Sequence, residues 1–181
     1  MRSLRATIAT LAVTLVLVAP DSAEAQEPPP LSGATVLEVG VGGHLPVGGA
    51  ADLVGVGVGG FASVGYRLNS RLDLLGVFGL LYNFDKDVSG ESVSYMQIPL
   101  MVGGRVHLNP ALYANAVAGF NFVRVSSDGS DFSETEFGAM AGAGYELGRA
   151  DLQLQLFASS FDNFDDSLGL LFSVGFEIAA I

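Results

Sequence analysis

Hydrophobic residues occupy every second position in eight successive segments of the chain after residue 33, with glycine or polar residues between them. In the last of these segments the apolar positions run from Leu168 to Ile178 in steps of two. A period of two residues predicts a β-strand whose two faces differ in polarity. Eight such strands in simple succession predict an all-β protein, an eight-stranded antiparallel up-and-down barrel.

The connections between the predicted strands alternate in length. The strands are predicted at residues 34–45, 53–68, 72–84, 92–108, 111–124, 135–147, 150–158 and 168–178. The longer connections, at residues 46–52, 85–91, 125–134 and 159–167, are rich in Gly, Ser and Asp, whereas the others are turns of two or three residues. Outer-membrane barrels have short periplasmic turns and long extracellular loops. This pattern predicts that both chain ends are periplasmic.

Alternation alone fits a lipid-facing barrel and a soluble lipocalin-like barrel equally well. A soluble exterior carries many lysines, but Lys86 is the single lysine of this chain. Aromatic residues of the apolar face also lie near the strand ends, where membrane barrels carry aromatic girdles. We therefore predict a transmembrane barrel with its apolar face toward lipid. The predicted girdles are Tyr66, Tyr145 and Phe176 at the short-turn end, and Tyr82, Phe84, Phe120, Phe122 and Phe137 at the long-loop end.

The opposite face of the strands carries glycine and a few charged residues, which we expect to project into the lumen. An unpaired guanidinium in a lumen with little water would cost several kcal/mol. We therefore predict that Arg67 and Arg105 each pair with an inward carboxylate, with Asp151 as one candidate. Because side chains just fill an eight-stranded interior, the lumen is predicted to be plugged. The predicted polar network is Glu38, Arg67, Asp73, Arg105, Glu146 and Glu177.

The first 25 residues have the features of an export signal. Arg2 and Arg5 precede an apolar run over residues 6–19, and Ala23-Glu24-Ala25 supplies a small-x-small cleavage pattern. That run is shorter than the roughly 20 apolar residues of a membrane-spanning helix. We expect a signal peptide at residues 1–25, a periplasmic leader at 26–33 and one barrel domain at 34–181.

Composition and short motifs argue against several kinds of function. The net charge is −11 and basic residues form no cluster, so we expect no nucleic-acid partner. There is no cysteine, and the two histidines, His44 and His107, predict no metal site. Residues 55–60 match the pattern G-x-G-x-x-G, but no helix follows, so no nucleotide cofactor is predicted. A lipid-modifying enzyme would need a nucleophile beside His44, and no spacing supplies one, so we predict no enzyme activity.

Two segments carry a resemblance to a known family. Residues 95–100 (YMQIPL) and 137–145 (FGAMAGAGY), together with the strands of alternating glycine and aliphatic residues, resemble the bacterial outer-membrane β-barrel domain of the OmpA/OmpX type. The resemblance spans essentially the whole predicted mature chain. It implies outer-membrane lipid and lipopolysaccharide as surroundings, and insertion by the barrel-assembly machinery. Pro99 lies inside predicted strand four, where its missing N–H predicts a bulge.

The pattern and the resemblance define a place and an architecture more closely than an activity. We expect a monomeric outer-membrane barrel with a structural or surface-interaction role. Three alternatives stay open at this point: a small-solute porin, a lipid-modifying barrel enzyme and a soluble lipocalin-like carrier. For an outer-membrane barrel with a structural or surface-interaction role, no cofactor is expected.

Overall fold

The computed structural model describes residues 33–88, 91–127, 130–162 and 164–181. They form one closed antiparallel barrel in which each strand pairs with its sequence neighbours and the last strand pairs with the first. This confirms the eight-stranded up-and-down architecture. The predicted signal peptide (1–25) and all but the last residue of the predicted leader (26–33) lie outside the described residues. The strands are β1 (Thr35–Pro46), β2 (Gly57–Arg67), β3 (Leu72–Val88), β4 (Glu91–His107), β5 (Leu112–Ser127), β6 (Ser130–Leu147), β7 (Ala150–Ala158) and β8 (Leu168–Ala180).

Two short helices lie in the connections at the long-loop end. Helix α1 (Ala50–Leu53) joins β1 to β2, and a 3-10 helix (Phe164–Asp166) lies between β7 and β8. The prediction that the second strand begins at Leu53 was therefore wrong. Gly48 has a φ of 65° and turns the chain away from the barrel wall, so residues 50–53 have no strand beside them to pair with. No helix in the described ranges has the length and hydropathy needed to cross a membrane.

Two of the predicted loops are largely strand. β3 continues to Val88 and β4 begins at Glu91, while β5 continues to Ser127 and β6 begins at Ser130. The polar composition of these residues predicted loops. The hydrogen-bonded ladder between neighbouring strands nevertheless continues through them and satisfies their backbone groups. Four strands therefore rise above the rest of the wall. We call the described residues of 85–96 and 123–136 the projecting sheet.

Pro99 does not produce the predicted bulge. Phe78 and Leu81 on β3 pair with β4 in one register on either side of Pro99. Across the ladder, a Cβ placed on Gly79 would lie 3.1 Å from the Pro99 ring. A glycine opposite the ring therefore accommodates Pro99, and no extra residue is inserted.

Apolar side chains fill the middle of the lumen. These side chains come from inward-facing positions of six strands, and each residue is at most 5% exposed. Phe61 and Val77 pack against them. The outward face is also apolar, as Val41 and Val102 at 68% and 70% exposed illustrate. Large exposed apolar residues together with buried charged residues invert the usual pattern of a soluble domain. The central set, which we call the apolar layer, is Leu75, Leu81, Met101, Val117, Met140, Phe157 and Leu171.

Candidate functional site

A buried ionic cluster lies at the short-turn end of the lumen. Arg67 and Asp73 are direct partners in the β2–β3 ladder. Arg67 Nε donates to Asp73 Oδ1 at 2.7 Å and Nη2 donates to Oδ2 at 3.1 Å, with the two side chains only 6% and 5% exposed. His107 Nε2 lies 2.9 Å from Asp73 Oδ2. Asp73 therefore holds both groups from β2 and β4 in one buried cluster.

Arg105 forms the second ionic cluster at this end. Its Nη1 and Nη2 donate to the two carboxylate oxygens of Glu38, both at 2.8 Å, and Nη1 lies 3.5 Å from Glu146 Oε1. Ser63 donates its hydroxyl to Glu38 at 2.8 Å. The guanidinium lies 4.2 Å from the ring centroid of Tyr113. This bidentate geometry is the strongest that Arg and a carboxylate form.

Neutral side chains extend this cluster toward β7. Tyr113 donates its hydroxyl to Asp151 at 2.6 Å, and Gln153 donates its amide to the same carboxylate at 2.6 Å. Asn115 and Gln155 continue the chain of contacts, with Gln155 Nε2 donating to Asn115 Oδ1 at 3.1 Å. We call the two ionic clusters and these neighbours the charged layer.

The structure brings five of the six predicted network residues into these clusters. Glu177 is the sixth: it is half-buried, and among the described residues no hydrogen bond or ion pair involves its side chain. It lies opposite Glu38 in the β1–β8 ladder, next to a register shift between Leu37 and Glu38. Sequence reasoning missed Ser63 and Tyr113 as members of the network, although both occupy inward-facing positions in the alternation of their strands.

An uncharged layer lies at the other end of the lumen. Asn121 Nδ2 donates to Gln97 Oε1 at 3.0 Å, and Gln97 Nε2 donates to Asn83 Oδ1 at 3.4 Å. Asn83 Nδ2 then contacts His44 Nδ1 at 2.7 Å and the Gly55 carbonyl at 2.8 Å. Because the Asn83 amide nitrogen can only donate, this contact requires His44 Nδ1 to be the acceptor. We call these four side chains the amide layer.

A small cavity lies inside the barrel. A cavity of about 40 Å³ lies between the charged and apolar layers, bordered by Glu38, Arg105 and Ser173 among others. Such a volume holds only a few water molecules. In the described part of the chain, no three or more His, Cys, Asp or Glu residues are placed to bind a metal ion.

Helix α1 covers the long-loop end and is fixed to its neighbours. The Gly49 N–H donates to the Asp165 carbonyl at 3.2 Å, next to the 3-10 helix. Lys86 of β3 donates to the Ala51 carbonyl. The connection between β1 and β2 is thus held from two sides, directly above the amide layer.

Aromatic side chains surround the outside of the barrel. The eight predicted girdle residues lie on the outward face, and all except the half-buried Tyr145 are exposed. At the long-loop end Phe120 and Phe137 meet edge to face, with ring centroids 5.9 Å apart. Phe161 lies 5.9 Å from Phe137 and stacks on Phe164 at 6.4 Å. Sequence reasoning assigned these last two residues to a loop and missed that they extend the aromatic surface.

The projecting sheet has an open edge. Pairing between β6 and β7 ends at Ala139 and Ala158, followed by one bond in which the Phe161 N–H donates to the Phe137 carbonyl at 3.0 Å. Beyond this point, residues 131–136 of β6 pair with β5, and no described residue pairs with their other side. Residues 131–135 are exposed. On β5, Arg124 pairs with Asp131 at 2.7 Å, and both side chains are more than half exposed.

Comparison with known proteins agrees with this architecture. Residues 9–156 match the family described as "Outer membrane protein beta-barrel domain". The structure is similar to Ail, the attachment invasion locus protein of Yersinia pestis, in complex with the heparin analogue sucrose octasulfate (TM-score 0.63, 13% identity, covering 83% of this chain and 100% of that chain). A second crystal structure of Ail gives a TM-score of 0.57 at 13% identity, with the same coverage. No curated protein matches the chain.

At such low identity the structural likeness shows the fold alone, whereas the family match covers most of the sequence. The family match confirms the resemblance seen in the glycine-rich and aliphatic strands. The family match also excludes the soluble-carrier alternative, because the apolar outer face of an outer-membrane barrel lies against lipid. The chain belongs to the outer membrane protein β-barrel domain family and is a small β-barrel of the bacterial outer membrane.

Proposed function

We propose that this protein is a non-conducting, non-enzymatic barrel that holds the projecting sheet at the cell surface. The observation that supports the proposal is the succession of three layers of buried side chains along the lumen. The charged layer lies at the short-turn end, the apolar layer in the middle and the amide layer at the long-loop end. A cavity of about 40 Å³ lies between the first two.

The apolar layer is the main barrier to ions in this proposal. Its seven side chains are each at most 5% exposed, so they pack against one another across the lumen. A hydrophobic constriction excludes water. Moving an ion out of water into such surroundings costs several kcal/mol even after relaxation. The porin alternative would need this layer to move aside.

The membrane setting follows from the outer face. Exposed aliphatic residues lie between the two aromatic girdles, which we assign to the two interfaces of the bilayer. The closed ladder leaves no strand edge inside the membrane, and this favours a monomer. Outer-membrane lipid and lipopolysaccharide would surround the barrel after insertion by the barrel-assembly machinery.

We assign the short-turn end to the periplasm. Gly33 and Ile181 lie at this end, bonded to the backbone of Arg67 and Thr35 respectively. Short turns face the periplasm in this class of barrel. The projecting sheet, at the opposite end, then extends outside the cell. Its exposed strands support a surface-interaction role, because they rise above the interfacial girdle.

Conductance across a planar bilayer tests the proposal. The purified full chain should produce no stepwise conductance, and regular single-channel steps would contradict it. Phe157→Ser places a hydroxyl and a void in the apolar layer and should allow brief openings. Leu156→Ser changes the neighbouring residue, which is 50% exposed on the outer face, and should stay silent. Openings in both variants would indicate general loosening and not a specific role of the apolar layer.

A further inference from the structure

Helix α1 and the 3-10 helix, which we call the cover, are fixed to the barrel through the amide layer. We propose that a proton on His44 reverses the hydrogen-bond chain of this layer and releases the cover. The inference does not depend on a closed lumen. It uses the proposed function only for the direction of the long-loop end, which would make the switch respond to the acidity outside the cell.

The amide layer bonds to both connections that carry the cover. Asn83 Nδ2 donates at 2.8 Å to the carbonyl of Gly55, which follows α1. Asn121 Nδ2 donates at 3.4 Å to the carbonyl of Ser159, where the connection to the 3-10 helix begins. The two parts of the cover are also joined to each other by a backbone hydrogen bond. One chain of side chains in the lumen therefore reaches the cover at two points.

His44 sets the direction of this chain. A neutral imidazole has one donor nitrogen and one acceptor nitrogen. Asn83 Nδ2 donates to His44 Nδ1 at 2.7 Å and to Gly55, so both of its amide hydrogens are used. Asn83 Oδ1 then accepts from Gln97, and Gln97 Oε1 accepts from Asn121. The orientation of every amide in the layer thus follows from the acceptor on the imidazole.

The observed direction leaves a buried atom without a hydrogen bond at each end of the chain. His44 Nε2 and Asn121 Oδ1 bond to no described residue. At the first end, Nε2 lies so close to Gly169 that a Cβ there would collide with it. At the second end an acceptor lacks a donor. Reversal of the chain would supply that donor, because the amide nitrogen of Gln97 would then face Asn121.

A proton on His44 Nδ1 is incompatible with the observed direction. Both ring nitrogens of an imidazolium are donors, so Nδ1 could no longer accept from Asn83. Half a turn of the Asn83 amide places Oδ1 on the imidazolium, and Gln97 and Asn121 turn in the same sense. The new bond is charge-assisted and stronger than the neutral bond that it replaces. No covalent bond changes, since the proton comes from the solvent and returns to it.

The reversed chain no longer holds the cover. Asn83 Oδ1 would take the place of Nδ2, which now lies 2.8 Å from the Gly55 carbonyl oxygen. Two oxygens at this distance with no hydrogen between them repel, so the segment after α1 moves away. Asn121 Nδ2 turns away from Ser159 in the same step. Both connections are therefore loosened together.

The charges around the layer favour a cation at His44. In the described part of the chain no charged side chain bonds to His44, whose side-chain neighbours are Asn83 and Phe157. Its ladder partners on β2 and β8 are also uncharged. Glu136 lies opposite Asn121 in the β5–β6 ladder. The charged groups on the cover and on β3 beyond Asn83 are Asp52, Asp165, Asp166, Asp85, Lys86 and Asp87. All of these except Lys86 are acidic, and acids attract a nearby positive charge.

Hydrogen exchange of the full chain in phosphatidylcholine nanodiscs tests the inference. Exchange is followed by mass spectrometry at about pH 8 and about pH 5, the range in which an ordinary histidine titrates. Variants are compared at one pH, because the chemistry of exchange itself depends on pH. Residues 47–56 report on the cover, and residues 68–72 at the short-turn end are the internal control. Histidine ¹⁵N NMR under both conditions shows whether His44 Nδ1 carries a hydrogen.

Three variants separate the causes. His44→Asn keeps an acceptor oxygen near the position of Nδ1 and cannot take up a proton. His107→Asn removes the other histidine, which belongs to the charged layer, and is the matched control. Asn83→Leu removes the contact with Gly55 at every pH. Heat-modifiable gel mobility shows that each variant is folded, and the NMR measurement on the unmodified chain needs no variant.

At the acidic pH, residues 47–56 should exchange at least about tenfold faster in the unmodified chain than in His44→Asn. At the higher pH the two chains should agree. His107→Asn should respond to acid as the unmodified chain does, and Asn83→Leu should exchange fast under both conditions. Residues 68–72 should show no difference between the unmodified chain and His44→Asn.

Equal exchange of the cover in the unmodified chain and His44→Asn at the acidic pH would overturn the switch. An Nδ1 that carries no hydrogen there would overturn it too. An acid response that His107→Asn abolishes would assign the effect to the charged layer instead. Slow exchange in Asn83→Leu would show that the contact with Gly55 does not hold the cover, which also contradicts the inference.

These results are separate from the test of the proposed function. The apolar layer lies below the amide layer, so release of the cover should leave the barrel silent in a planar bilayer. Stepwise conductance would contradict the closed lumen alone. A silent barrel whose cover stays fixed in acid would contradict the switch alone.

Discussion

The two polar layers of the lumen bury hydrogen-bonding groups in different ways. At the short-turn end, Arg105 is held between Glu38 and Glu146 as a buried ion cluster. At the long-loop end, Asn121, Gln97, Asn83 and His44 form a chain of neutral donors and acceptors. Leaving a buried charge unpaired costs about 3–5 kcal/mol, whereas an unpaired neutral group costs about 1–3 kcal/mol. The charged layer is therefore stable only as a complete set, while the amide layer tolerates the loss of a member.

The local structure around each layer matches this difference. In the β2–β3 turn, Asn69 accepts from the N–H groups of Arg71 and Leu72 at 2.9 and 3.1 Å. Asn109 makes the equivalent pair of contacts in the β4–β5 turn. Such turns fix strand ends, and fixed strand ends hold ion pairs at close range. The amide layer lies instead below α1 and the longer connections.

The largest effect should follow the loss of the buried guanidinium. Arg105→Met removes the guanidinium that pairs with Glu38 and Glu146 and should lower the free energy of unfolding by about 3–5 kcal/mol. Urea unfolding in detergent micelles, followed by far-UV circular dichroism, measures this change. Arg149→Met removes an exposed arginine and should have almost no effect. If both variants lose the same stability, the charged layer has no special role.

A second substitution sharpens this result. Adding Glu38→Met to Arg105→Met removes the ion pair as a whole and should recover part of the loss, because a well-packed apolar pair often matches a buried ion pair in stability. Glu146 remains near the site, so recovery should be incomplete. A double variant less stable than Arg105→Met would contradict the account of an uncompensated carboxylate.

A smaller effect should follow substitution in the amide layer. Asn83→Leu leaves the donor of Gln97 and the acceptor of His44 unpaired, and should lower the free energy of unfolding by about 1–3 kcal/mol. Adding His44→Leu should cost less than the sum of the two single variants, because both ends of one hydrogen bond are then gone. The same unfolding measurement applies. A loss as large as that of Arg105→Met would remove the distinction between the layers.

Sequence reasoning could predict the parts of the charged layer that are local. A turn of three residues places Arg67 opposite Asp73, so alternation and turn length are enough to predict that both project inward side by side. Arg105 and Glu38 lie on strands that are not neighbours, and their meeting depends on how the closed barrel is staggered. A register shift also lies between Leu37 and Glu38, and alternation alone does not predict it.

The apolar layer and the projecting sheet show a second limit of pattern reasoning. Leu75 and Leu81 interrupt the alternation of β3, which obscured the period, yet they fill the centre of the lumen. Polar residues in 85–91 and 125–134 predicted loops, because strand patterns assume one face against lipid or core. Outside the membrane neither face needs to be apolar, so a paired strand and a loop have similar composition.

The smallest effect should come from the exposed ion pair of the projecting sheet. Arg124 and Asp131 are more than half exposed, and Asp131 lies six residues beyond Phe137 of the girdle, outside the membrane-spanning part of β6. Surface ion pairs contribute little, so Arg124→Ser should leave the unfolding midpoint unchanged within error at neutral pH. The hydrogen bond from Arg124 lowers the pKa of Asp131, so the variant should raise that pKa toward its ordinary value.

The pH dependence of the Arg124–Asp131 pair follows from the lowered pKa of Asp131. Because the pKa of Asp131 is lower in the folded protein than in the unfolded chain, any stabilisation is present above the unfolded pKa and is lost as pH falls through the folded pKa. Any contribution of the pair to stability should therefore be smaller in acid than at neutral pH, and the pKa of Asp131 is the quantity that Arg124→Ser should change measurably. NMR titration of the Asp131 carboxyl measures the shift directly. An Arg124→Ser variant as unstable as Arg105→Met would show that solvent exposure does not separate the two ion pairs.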